Sequence, residues 1–187
     1  FINLSKRVVA SVGRTPIMIG WSPLNGGSRF PCQLFSGKKV RALDKSAWDW
    51  TVDEKLLVML RVVIGDLLVG LPAWARELID RRWENLFRDA VFQFGDGTEW
   101  TQPGWGVMKS GCYLTLILNS LGQLLLHHQA LLALGRVDED LAYMVMGDDM
   151  TIEDFPWFEE YEAKLNSFGY VVKPSEPEET IEFCGTR

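Results

Sequence analysis

The stretch whose reading decides the fold is Tyr143-Met144-Val145-Met146-Gly147-Asp148-Asp149-Met150-Thr151-Ile152. An apolar run, a glycine turn with two adjacent carboxylates and a second apolar run spell a β-hairpin with acids at its tip. Adjacent aspartates repel one another, so keeping both ionised calls for a cation nearby. Ligation by oxygen alone suits magnesium or manganese rather than zinc. An ordinary exposed turn is the competing reading, because Gly and Asp are favoured turn residues.

Outward from the hairpin, Phe155 to Phe168 reads as a helix, amphipathic through Phe158, Tyr161 and Leu165 and closed by Gly169. Tyr170–Val172 and Ile181–Cys184 read as short final strands. Upstream, a long helix is predicted from Ser110 or Gly111. Before it, Gly95-Asp96-Gly97-Thr98 signals a second hairpin between Ala90–Phe94 and Glu99–Gln102. Pro72, at a first-turn position, opens a helix through Glu77, Arg81 and Trp83, and Asp49 or Thr51 caps one through Val52 to Leu60. Lys38 to Asp44 reads as a strand, and residues 1–37 as Gly-, Ser- and Pro-rich loops. The order of elements predicts an α+β fold, an antiparallel sheet backed by helices.

Composition narrows the function. At 187 residues, 47% apolar and 24% charged, the chain can bury a core and is not disordered. Three distant cysteines (Cys32, Cys112 and Cys184) argue against a disulfide framework and for a reducing compartment. Ser110 to Gly135 holds no Lys, Arg, Asp or Glu, but Asn119, Gln123, His127 and His128 make it a buried helix rather than a membrane span. His127 and His128 lack partner ligands in sequence and read as ordinary polar residues. Seven of the 19 basic residues, Lys6 and Arg7 among them, and no acid lie within residues 1–43, leaving 12 basic against 25 acidic residues elsewhere. A basic arm beside an acidic body suits polyphosphate binding, although a short basic segment can also be merely solvated.

A second acid pair sits in Asp44-Lys45-Ser46-Ala47-Trp48-Asp49. Asp44 projects toward the Asp148-Asp149 tip if the two strands are neighbours. Two metal ions held about 3.5–4 Å apart by such acids would serve an in-line phosphoryl displacement. Asp49 points elsewhere, toward a sugar for example, or acts as a helix cap. In Ser110-Gly111-Cys112-Tyr113-Leu114-Thr115-Leu116-Ile117-Leu118-Asn119, the residues Gly111, Thr115 and Asn119 share one face if all are helical. That polar stripe faces either another polar site or a closely packed neighbour.

Taken together, Asp44-x4-Asp49, Ser110-Gly111-x3-Thr115-x3-Asn119 and Gly147-Asp148-Asp149 resemble, in order and spacing, three palm motifs of viral RNA-dependent RNA polymerases. The stretch ending Phe168-Gly169-Tyr170-Val171-Val172-Lys173 and the turn Glu182-Phe183-Cys184-Gly185 are similar to two further motifs. The wording around Asp44 to Trp50 and Gln102 to Gly111 is similar to sobemo- and luteo-like positive-strand viruses. The resemblance covers residues 38–187, with motifs at 44–49, 110–119, 147–149, 157–173 and 182–185. Residues 1–37 would be a basic margin of the fingers.

The resemblance implies a polymerase palm with an RRM-like core, acting as an RNA-directed RNA polymerase in viral genome replication. It implies that Asp44, Asp148 and Asp149 ligate two Mg2+ ions, which Mn2+ can replace. Asp49, with Ser110, Gly111, Thr115 and Asn119, would bind the nucleotide and read its 2′-hydroxyl. Lys173 would neutralise or protonate the leaving pyrophosphate, its competing reading being an exposed strand lysine. Phe183, Cys184 and Gly185 would hold the primer, and Lys6 and Arg7 would contact the triphosphate. Implied partners are template RNA, the nascent strand, nucleoside triphosphates and other viral replication proteins, in the host cytoplasm at membrane-bound replication complexes. Such polymerases enclose the palm between fingers and thumb. A chain from Phe1 to Arg187 is therefore expected to be a piece that synthesises poorly alone.

Three rivals share some of these features. A reverse transcriptase has the same acids, but usually an aromatic where Gly147 stands and a bulky block to the 2′-hydroxyl. A non-catalytic nucleic-acid-binding module or a structural divalent-ion domain leaves the ordered spacing unexplained.

Overall fold

A computed structural model describes residues 1–186. In chain order the helices are α1 (Ile2–Val9), α2 (Arg29–Leu34), α3 (Trp48–Thr51), α4 (Glu54–Leu67), α5 (Ala73–Phe87), α6 (Thr115–Ala133) and α7 (Phe158–Ser167). The strands are β1 (Val40–Leu43), β2 (Val91–Gln93), β3 (Glu99–Thr101), β4 (Tyr143–Met146) and β5 (Asp149–Glu153). The chain divides into two compact units: Phe1–Ser46 with Tyr113–Arg187, and Ala47–Cys112. The α+β expectation holds.

In the first unit, β4 and β5 form the expected hairpin and β1 pairs with the other side of β5, giving the antiparallel order β1-β5-β4. Three successive residues of the central strand, Met150, Thr151 and Ile152, are buried, as a strand covered on both faces requires. Met144 joins Met18, Phe35, Val40 and Phe183 in a core cluster. Tyr143, on the opposite face, packs its ring 4.4 Å from that of His127 on α6. The outer edge of β4 is closed by Pro16 to Met18, through Met18 N–H to Val145 O at 2.8 Å and Val145 N–H to Pro16 O at 2.9 Å. Reciprocal bonds between Val40 and Glu178 cover the first residue on the outer edge of β1.

The strands expected at 170–172 and 181–184 are single bridges instead, Lys45 with Val172 and Phe183 with Thr186. Val171 O accepts from Ser46 N–H and Lys173 N–H donates to Asp44 O, while Phe183 and Thr186 bond each other within a single turn, so neither segment extends into a ladder. α7 buries Phe158, Tyr161 and Leu165 as its pattern demands. It ends at Gly169 (φ +96°), where Tyr170 N–H bonds back to Leu165 O at 3.2 Å. α6 is the buried helix anticipated. Among the described residues no helix is long and apolar enough to cross a membrane.

His127 joins α6 to α7 through a 2.9 Å bond between Nδ1 and the Tyr161 hydroxyl. Burial, reinforced by the charges of His128 and Lys45, pushes its imidazole down to about 3. In the unfolded chain its value is near 6.5. As pH falls, the unfolded state therefore takes up this proton first. The stability is complete above pH ~6.5 and is lost on acidification toward 3, by up to ~1.4 kcal/mol per pH unit. We expect a His127→Gln chain, which keeps a partner for Tyr161, to show a flatter melting profile between pH 6.5 and 5. An unchanged slope in calorimetry would disprove this.

In the second unit, α4 is capped by Asp53, whose side chain accepts from Leu56 N–H at 2.9 Å. The expected caps, Asp49 and Thr51, lie inside the one-turn α3 instead. The chain turns extended at Val52 (ψ 113°) before α4 begins, so only Asp53 stands where a cap is needed. Pro72 sits at the N-cap of α5, one position earlier than expected. Trp83 and Phe87 are buried, with ring centroids 4.7 Å apart. The β2–β3 hairpin forms as predicted, with the Asp96 carboxylate accepting from the backbone and hydroxyl of Thr98.

Candidate active site

The acids converge because of strand register. β1 runs antiparallel beside β5 with Leu43 opposite Met150, so the next position places Asp44 across from Asp149. Asp148 occupies the two-residue turn before it, between the paired residues Met146 and Asp149. Gly147 has φ +69°, the glycine-first pattern of a II′ hairpin turn. A cavity of about 150 Å³ is bordered by Asp44, Asp149, Glu182 and Cys184. A larger one, about 390 Å³, is bordered by Asp44, Lys173, Glu176, Glu178 and Glu182.

Electrostatics mark the same cluster. Burial, then the charges of Asp148 and Asp44, raise the Asp149 carboxyl above its ordinary range, against the lowering effect of a hydrogen bond with Cys184. Burial and the nearby acids push the Cys184 thiol up to about 12. A thiol held protonated is a poor metal ligand, so the donors on offer are carboxylate oxygens, the set that suits a hard divalent ion. Among the described residues no group of three or more His, Cys, Asp or Glu is already arranged to hold a metal ion.

Lys173 stands over Asp44. Its backbone N–H bonds to Asp44 O at 2.8 Å and its Nζ lies 2.5 Å from Asp44 Oδ2. Phe183 is 3% exposed and belongs to the core, edge-on to Trp21, so its ring is not presented to a ligand. What the 183–186 turn offers is backbone, with Cys184 and Gly185 both at positive φ and Phe183 and Thr186 bonded reciprocally. Lys6 and Arg7 are exposed in the last turn of α1, where a helix end favours cations, and line neither cavity.

The polar stripe is only partly realised. α6 begins at Thr115, and Gly111 lies before it at φ +88°, a conformation no helix contains. Thr115 and Asn119 do share one face. Asn119 is 6% exposed and its buried Oδ1 has no hydrogen-bond partner among the described residues, an arrangement that a polar ligand atom would relieve. In the second unit, Ser110 Oγ donates to Asp49 Oδ2 at 2.6 Å, so these two predicted residues act as a pair.

Three residues that sequence reading passed over grip the acid turn from behind. Ser120 Oγ accepts from Gly147 N–H at 2.8 Å, and Gln123 Nε2 donates to Asp148 O at 3.0 Å. The Lys45 ammonium donates to Gln123 Oε1. Burial pushes Lys45 down to about 8, against the raising effect of Asp44 and Asp148. Their signal was the helical spacing of Ser120, Gln123 and His127 in an otherwise apolar stretch.

The family model of viral RNA-dependent RNA polymerases matches residues 1–187, the whole chain. This chain belongs to that family. No curated protein matches it. The match takes in residues 1–37 as well as the region carrying the motifs. Viral RNA-dependent RNA synthesis is thus the activity of the family to which this chain belongs.

Proposed function

We propose that the chain is a polymerase palm in which Asp44, Asp148 and Asp149 hold two Mg2+ ions for RNA-templated nucleotidyl transfer. The observation that carries this reading is the β1–β5 register, which brings Asp44 to the Asp148-Asp149 turn from a position over 100 residues away. The ions, when bound, supply charge neutralisation and activation of the attacking hydroxyl. The acids themselves fix where that charge is placed. Lys173 Nζ, held at Asp44, supplies a cation and a proton for the departing pyrophosphate. Asn119 Oδ1 accepts the ribose 2′-hydroxyl, the group that distinguishes RNA precursors from DNA precursors. Asp49, with its Ser110 partner, is the second candidate for sugar recognition, and Gly111 and Thr115 are the further nucleotide-binding candidates.

In this reading residues 1–37 are the basic margin of the fingers, carrying Lys6 and Arg7 toward triphosphate, and residues 38–187 are the palm. The Phe183–Gly185 turn holds the primer end through its backbone. The wording of the motifs supports a sobemo- or luteo-like lineage, and the setting is host cytoplasm at membrane-bound replication complexes with other viral proteins.

The test is primer extension on an RNA template, with the chain carried in a complete polymerase and NTP compared with dNTP. Extension with NTP is expected. Asn119→Ala should lower the NTP preference about tenfold, the value of one good hydrogen bond to a buried group. Efficient extension with dNTP by the wild type would transfer the chain to the reverse-transcriptase reading.

A further inference from the structure

We propose that Ser120, Gln123 and Lys45 form a buried clamp that positions the acid-bearing turn, making them positioning residues of the polymerase site. The proposal rests on the reading of the three aspartates as metal ligands.

All three side chains are buried, Ser120 and Gln123 completely and Lys45 to 4% exposure. Every polar atom of the Gln123 amide is oriented: Oε1 accepts from Lys45, and Nε2 donates to Asp148 O at 3.0 Å. The Ser120 hydroxyl is oriented likewise, donating to Leu116 O at 2.8 Å and accepting from Gly147 N–H at 2.8 Å. Two adjacent residues of the turn are thereby tied to one face of α6. Lys45 adds the third tether, because it directly follows Asp44. Both acid-bearing segments are thus fastened to a single amide, that of Gln123. An ammonium is a costly way to fill a core, and apolar residues would fill it at lower cost. What the lysine provides is a fixed distance between the end of β1 and the turn after β4.

Charge and position predict opposite signs here, which makes the idea testable. Lys45 faces the charges of Asp44 and Asp148. If it were only a counter-cation, removing it would strengthen binding of another cation. If it holds the acids in place, removing it weakens that binding.

The experiment is calorimetric titration of the 187-residue chain with MgCl2 and with MnCl2, alongside thermal melts without ions. The double variant Lys45→Met/Gln123→Met replaces both partners by apolar groups of similar length, so it should keep its fold. Its affinity for both ions is expected to fall about tenfold to a hundredfold, the usual loss when groups orienting metal ligands are removed. Ser120→Ala, a smaller change on the other arm, should weaken binding in the same direction and serves if the double variant does not fold. Asp148→Asn separates the two levels of inference. If it binds ions as tightly as wild type, the metal-ligand reading itself fails. If it loses binding while the clamp variants bind as well as or better than wild type, the clamp alone is overturned.

Discussion

Asp148→Asn is expected to lower NTP incorporation by at least ~10³-fold while leaving the ion-free protein as stable as wild type or slightly more so. The rate loss corresponds to about 4 kcal/mol of transition-state stabilisation, within what a misplaced or missing metal contact removes. The stability argument runs the other way. Asp148 is exposed and buries nothing that an amide would leave empty. Its charge is one of the two that raise Asp149, so neutralising it relieves repulsion in the folded state. Divalent ions should raise the melting temperature of wild type, since a ligand bound only by the folded state stabilises it, and that increment should shrink in the variant. Single-turnover incorporation and melts with and without MgCl2 measure both halves. A variant that keeps its Mg2+-dependent melting shift would remove Asp148 from the ligand set.

What the sequence made legible follows from how local each signal is. The acid-tipped hairpin was readable because its turn and both its strands are contiguous, and Gly147 sits where only a positive φ closes the turn. α7 was readable because Phe158, Tyr161 and Leu165 keep a helical period and Gly169 ends it. The pairing of Asp44 with this hairpin depended on two strands being neighbours, which the motif spacing suggested and the β1–β5 register now provides.

The misreadings have physical causes. Gly111 was assigned to a helix because its spacing from Thr115 and Asn119 fits one, but spacing does not report backbone conformation, and its φ is +88°. Asp49 looked like a helix cap because cap preference belongs to the residue type. In the fold the cap is Asp53, and Asp49 bonds to Ser110, 61 residues away. Lys45 and Gln123 were passed over because their partnership spans 78 residues and each alone has a solvated reading. Phe183 entered through its motif as part of a primer-holding turn, and what spacing did not report is that its ring completes the core around Met18 and Phe35, which leaves only backbone for that role.

Gly147→Ala is the second large effect expected, and it tests the turn rather than the charges. With φ at +69°, any Cβ costs about 1–2 kcal/mol in this left-handed region. An added Cβ would also lie 3.0 Å from Leu116 Cδ1. Leu116 is 46% exposed, so its terminal methyl can move aside, and the backbone conformation is the larger penalty. If the turn relaxes toward negative φ, Gly147 N–H leaves Ser120 and both aspartates shift with it. A displacement near 1 Å at a reacting centre lowers rates by about 10²-fold, and that is the activity loss expected. Gly147→Asn distinguishes the two causes, because Asn tolerates positive φ better than Ala while carrying the same Cβ and more bulk. Chemical denaturation should therefore rank Gly above Asn above Ala in stability. The reverse order, Ala above Asn, would mean that contact with Leu116 dominates and that the left-handed turn is not what holds the acids in place.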